Sequence, residues 1–124
     1  DLSGMAYIRD GLRIIGVNAL HHPNRQRFSA AHELGHHMLH AADLSAAVHV
    51  DRIFNRDRIS AEGTDPNEIE ANAFAAELLM PDAHLAAQIG ATGIDLDDDN
   101  AVDALARKFK VSPSAMRNRL SYPW

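Results

Sequence analysis

The 124-residue chain contains no cysteine. That excludes disulfide staples and thiolate metal sites together, so any metal must be held by His, Asp or Glu. The same absence fits a reducing cytoplasm, which is the expected location. Long apolar runs are also missing. The longest, around residues 71–79, is interrupted by Glu77 and is too short to cross a bilayer, so no membrane association is expected. No cationic stretch followed by an apolar core opens the chain, and no signal peptide is expected. The chain starts at Asp1 rather than Met, so it is read as one that a longer protein can contain. An excess of basic residues is lacking too. Twelve Lys and Arg stand against 17 Asp and Glu, a net charge of −5, which argues against direct nucleic-acid binding through phosphate contacts. Charge is nevertheless uneven. Asp95, Asp97, Asp98, Asp99 and Asp103 precede Arg107, Lys108, Lys110, Arg117 and Arg119, which reads as a solvated loop followed by basic helix faces.

What is present suffices for one compact domain, residues 1–124, with 46% apolar residues to build a core. Met5–Arg9 and Leu12–Val17 read as strands joined at Asp10-Gly11, a dipeptide favoured in two-residue hairpin turns. Pro23-Asn24 breaks the chain, and Asn24 or Ser29 is positioned to cap a helix running to about Ala42. Phe28, Ala31, Leu34, Met38 and Leu39 recur at helical spacing and predict its buried stripe. Val48 and Val50, alternating with polar neighbours, predict a short strand, and Gly63-Thr64 a loop. Asp65-Pro66 predicts a helix start with Glu68 closing a capping box, and Pro81 ends that helix near Met80. Three shorter helices follow: Asp82–Ile89 closed by Gly90, about Asn100–Phe109, and Pro113–Leu120 capped by Ser112.

Chemistry concentrates in His32-Glu33-Leu34-Gly35-His36. Positions four apart share a helix face, about 6 Å from each other, so two imidazoles can converge on one ion. The Glu after the first His is placed to take a proton from a water that the ion acidifies. His40 lies about 12 Å along the axis from His32, too far to share its ion, and His37 points about 100° away from His36. A third protein donor must come from elsewhere; the next acidic helix offers Glu68, Glu70 and Glu77. Tyr7, His49 and His84 are each candidates for stabilising an oxyanion, with nothing to choose among them.

The segment Arg27-Phe28-Ser29-Ala30-Ala31-His32-Glu33-Leu34-Gly35-His36-His37-Met38-Leu39-His40, followed by Glu68-Ile69-Glu70-Ala71-Asn72-Ala73-Phe74-Ala75-Ala76-Glu77-Leu78-Leu79-Met80-Pro81, closely resembles the ImmA/IrrE family of metallopeptidases. The likeness extends more weakly to the N-terminal hairpin and to Leu105–Leu120. It implies a zincin whose third ligand is a glutamate from a second helix, followed four residues later by Asp or Asn supporting a ligand histidine. Only Glu68 with Asn72 has that spacing. The implied set is therefore His32, His36 and Glu68 as ligands of Zn2+, with Mn2+ or another divalent ion as alternatives, Glu33 as general base, and Asn72 behind a ligand. The implied fold is α+β: a small twisted sheet containing the hairpin, packed on the two metal-binding helices, with further C-terminal helices.

The expected activity is that of an endopeptidase, and the resemblance suggests a protein substrate such as a helix-turn-helix repressor, in transcription regulation or stress response. The alternative is a regulatory or helix-turn-helix DNA-binding module that keeps a metal site without peptidase activity, favoured by the basic C-terminal helix pair.

Overall fold

The computed structural model describes residues 2–52 and 65–121. The architecture is α+β. Strand β1 (Leu2–Arg9) turns through Asp10 and Gly11, both with positive φ, into β2 (Leu12–Val17). These two φ values, 52° and 78°, are those of the expected tight hairpin turn, and Arg9 pairs with Leu12 across it. Helix α1 (Pro23–Leu39) and a short α2 (Ala41–Ala46) follow, then β3 (His49–Arg52), which pairs antiparallel with the free side of β1. The sheet order is β2-β1-β3, so β3 is an edge strand. The remaining helices are α3 (Pro66–Leu79), α4 (Asp82–Ile89), α5 (Asp99–Phe109) and α6 (Pro113–Ser121). None of the described helices is long and apolar enough to cross a membrane. The loop expected at Gly63-Thr64 lies outside the described residues.

The chain divides into two compact units, Asp1–Ala75 and Ala76–Trp124. In the first, the inward face of β1 is made of small residues: Gly4 and Ala6 are buried, and α1 packs close over them. Arg13 Nη1 donates to the His37 carbonyl and His37 Nε2 donates to the Ile14 carbonyl, each at 2.8 Å, pinning the end of α1 to β2. In the second unit Met80, Leu85, Val102, Leu105, Ala106, Val111 and Met116 form the apolar core. The buried Arg119 guanidinium donates to the Met80 carbonyl and to Asp82, and Asp98 caps α5 by accepting from the Asn100 and Ala101 N–H groups.

Two local expectations are corrected. Helix α1 is capped by neither Asn24 nor Ser29. His22 Nδ1 accepts from the Asn24 N–H at 3.1 Å, with Pro23 in the first turn where its missing N–H costs nothing. The apolar stripe of α1 is not its buried face: Leu34, Met38 and Leu39 are exposed, while Ser29, Ala31, His32, Glu33, Gly35, His36 and His37 are buried. The buried face is instead polar, built from residues that converge with β3 and α3 in one cluster.

Gly35 sets the distance between α1 and α3. A Cβ there would stand 3.2 Å from Ala71 Cα and from Phe74 Cβ, so only glycine permits this approach. Gly35→Ala is expected to destabilise the protein by about 1–3 kcal/mol through overpacking, measured as a lowered midpoint in chemical denaturation. An unchanged midpoint would show that the two helices can part freely here.

Candidate metal centre

Three elements of the first unit deliver the site. Helix α1 supplies His32, Glu33 and His36, strand β3 supplies His49 and Asp51, and α3 supplies Glu68 and Asn72. The i, i+4 spacing on α1 brings the Nε2 atoms of His32 and His36 to 3.1 Å from each other. Glu68 straddles them, with Oε2 at 3.0 Å from His32 Nε2 and Oε1 at 2.9 Å from His36 Nε2. Asp51 Oδ2 approaches from the sheet, 3.1 Å from His32 Nε2 and 3.8 Å from His36 Nε2. Donor atoms of His32, His36, Asp51 and Glu68 all lie within 4.8 Å of one another.

The outer contacts orient these rings. His32 Nδ1–H donates to Asn72 Oδ1 at 2.8 Å, so Nε2 is the ring nitrogen that faces the cluster and would ligate once its proton is lost. His36 Nδ1 lies 3.0 Å from His40 Nδ1, and His40 Nε2 is 3.8 Å from Glu70 Oε1. His40 thus braces a cluster histidine without entering the cluster. His49 Nε2 bridges two carboxylates, 3.0 Å from Asp51 Oδ1 and 2.8 Å from Glu68 Oε1.

Glu33 is wholly buried, and neither of its carboxylate oxygens has a hydrogen-bond partner. One of them lies within 4.8 Å of donor atoms of His36, His49 and Asp51. Room for it comes from the sheet: a Cβ on Gly4 would stand 2.8 Å from Glu33 Oε2. Gly4 pairs in register with Asp51, so the glycine gap and the Asp51 carboxylate face α1 side by side.

Three carboxylates sealed among imidazoles shift one another's protonation. Burial works against the His32 cation, but Asp51 and Glu68 outweigh it and hold its pKa up at about 10. The same carboxylates lift His49 to about 10 against the effect of burial. Burial, reinforced by Asp51, pushes Glu33 up to about 9. Burial also opposes ionisation of Asp51 and Glu68, yet the adjoining imidazoles win and keep both well below the usual carboxylate range. Such a group of N and O donors suits a divalent cation. Both Glu33 oxygens are buried without hydrogen-bond partners, and a cation beside them would favour their ionised form.

His32, His36, Glu68 and Asn72, singled out from the sequence, are therefore brought together, with Glu33 beside them. Glu68 does not close the expected capping box but turns into the cluster, while Asp65 Oδ1 accepts from the Asn67 N–H at 3.0 Å. Asp51 was missed, and His49 was left undistinguished among three candidates. Their signal lay in the alternation of 48–51, read for its valines: Val48 and Val50 are exposed, and the two polar residues face inward. Of the three, His49 is the one that falls in the donor groups found among the described residues.

A short antiparallel sheet thus lies over an HExxH helix, with carboxylates converging from a second helix and an edge strand on a cluster that could hold a metal ion. The chain belongs to the Peptidase_M78 family, described as the IrrE N-terminal-like domain, whose model matches residues 1–121. Comparison with curated proteins gives no match.

If Glu68 holds a cation and Glu70 does not, Glu68→Ala abolishes stoichiometric divalent metal while Glu70→Ala retains it, as read by metal analysis. Equal retention would mean that the wrong glutamate is assigned. Affinity is also expected to depend on pH. His32 carries a proton below its ion-free pKa of about 10, so uptake at neutral pH must expel it. The dissociation constant therefore falls as pH rises towards that value, by up to about tenfold per unit for each proton displaced, which chelator competition at two pH values measures.

Proposed function

We propose that the chain is a zinc-dependent endopeptidase, with His32, His36 and Glu68 holding the ion and Glu33 acting as general base. The observation that carries this reading is the buried Glu33 carboxylate, without a hydrogen-bond partner, beside the converging imidazoles. A site that only stored a cation would have no use for it. Zinc suits a set of two imidazoles and a carboxylate better than the oxygen-rich shells of magnesium or calcium.

The chain's own residues have separable tasks. Asn72 fixes the His32 tautomer, and His40 braces His36. Glu33 is held protonated by burial in the ion-free cluster; a neighbouring cation favours its ionised form, in which a carboxylate oxygen can accept the proton of an attacking water. The same oxygen then holds that proton until the leaving amide nitrogen takes it. Zinc, when bound, polarises the scissile carbonyl and makes water a usable nucleophile near neutral pH.

Glu33→Gln should keep the metal and lose peptide cleavage by about 10²–10⁴-fold or more, since proton transfer by a positioned group is typically worth that much. Metal content and turnover measured on one preparation separate the two effects. A variant cleaving as fast as the wild type would remove Glu33 from the mechanism.

For the substrate, the resemblance of the two motifs to the ImmA/IrrE family suggests a DNA-binding regulator, cut at an exposed linker. Within the acidic run, Asp98 caps α5 and Asp99 forms an ion pair of 2.7 Å with Arg117. The purified, zinc-loaded enzyme is expected to make a single cut in a cognate helix-turn-helix regulator and to leave casein largely intact, as followed by electrophoresis. Rapid casein degradation with the regulator untouched would overturn this. The alternative DNA-binding reading is weakened in the second unit. Arg119 is buried against Met80 and Asp82, and Arg117 is engaged by Asp99 and the Leu96 carbonyl.

A further inference from the structure

We propose that Asp51 is a fourth protein donor, closing the metal centre on the side that an open catalytic site leaves to water, so that the folded enzyme restrains itself. The inference rests on the metallopeptidase reading above and adds a restraint to it. Around a tetrahedral zinc with bonds of about 2.0–2.2 Å, two donors stand about 3.3–3.6 Å apart, a few tenths of an ångström more than the donors here. The distances among His32, His36 and Glu68 are 3.1, 3.0 and 2.9 Å. Asp51 Oδ2 continues the same figure, at 3.1 and 3.8 Å from the two imidazole nitrogens. Its distance from His32 Nε2 equals that between the two histidines.

The two oxygens of Asp51 have different work. Oδ1 is held by His49 Nε2 at 3.0 Å, which aims the carboxylate. Oδ2 is turned to the imidazoles, 3.1 Å from His32 Nε2, where a donor atom to a shared cation would stand. The residue as a whole is 5% exposed, so water has little access to Oδ2. Structural zinc sites are closed by four protein donors, whereas catalytic ones keep a position free. With Asp51 in place this site has the closed count, yet it also has the Glu33 carboxylate that an open site requires.

The fold makes Asp51 the donor that can withdraw. His32 and His36 lie within a 17-residue helix and Glu68 on a 14-residue one. Asp51 sits on a four-residue strand that, among the described residues, pairs only with β1, beside an irregularity in register between Leu2 and Gly4. Displacing β3 disturbs only its short ladder to β1, from Leu2–Arg52 to Ala6–His49. It withdraws Asp51 from the position next to Glu33, whose carboxylate occupies the gap that Gly4 leaves. Asp51 is in this sense a positioning and gating residue, which competes with substrate for one position.

Co2+ serves as the probe, because its visible spectrum reports coordination number without reference to turnover. The wild-type chain and the variants Asp51→Ala and Asp51→Asn are loaded with Co2+ and titrated with azide. Asp51→Asn keeps the shape of the side chain, so it guards against simple misfolding of the alanine variant. The wild-type spectrum should resist azide, and that of Asp51→Ala should change on its addition. The Co2+ dissociation constant should rise by about tenfold or more in Asp51→Ala and by less in Asp51→Asn. Azide altering the wild-type spectrum as readily as the alanine variant's, with equal Co2+ affinities, would overturn the proposal while leaving the metallopeptidase reading intact. Failure of the wild-type chain to bind Co2+ at all would overturn both.

Discussion

Everything in the first unit answers to one constraint, the burial of three carboxylates within a few ångströms of each other. Glu33, Asp51 and Glu68 are at most 5% exposed, and an isolated buried carboxylate is strongly unfavourable. Positive charge offsets that, and the raised imidazoles of His32 and His49 supply it beside Asp51 and Glu68. Small residues elsewhere follow from the same need. Gly35 brings α3 near enough for Glu68 to reach both histidines, and Gly4 clears the sheet from above Glu33. The glycines are thus consequences of where the charge must sit.

The second unit follows a different logic, with an apolar core of Met80, Val102, Leu105, Val111 and Met116 and ordinary capping at Asp98. Its basic residues, which on sequence alone offered a nucleic-acid surface, are largely turned to internal use. Arg119 closes onto a backbone carbonyl at the start of the unit, and Lys108 reaches Gln88. Lys110 occupies the left-handed region at the end of α5, a place glycine usually takes.

Local chemistry made much of this legible beforehand. The Asp10-Gly11 turn, the Asp65-Pro66 start, the stop at Pro81 and the Gly90 terminus all follow from backbone restrictions that act within a few residues. The pairing of His32 with His36 is equally local. What escaped was set by tertiary contact. Hydrophobic periodicity assigned the buried face of α1 to Leu34, Met38 and Leu39, whereas the histidines and Glu33 face the sheet and α3. The same bias read 48–51 through its valines and overlooked Asp51, since a polar inward face mimics a polar outward one when only the period is known. Glu68 was assigned from a family likeness; its spacing from the histidines alone could not separate it from Glu70 or Glu77.

The donors come from parts of the chain far apart in sequence, His32 and Glu68 being 36 positions distant, with an intervening strand contributing Asp51. A cation seated among them is a removable crosslink, joining a helix, a strand and a second helix at a single point. Closing so long a stretch carries an entropic cost that the metal–ligand bonds offset only while the ion is present. Metal supply then acts on more than turnover. A cell short of the ion would hold this chain in a looser state, open to proteolysis, so scarcity would lower the amount of the protein as well as its occupancy.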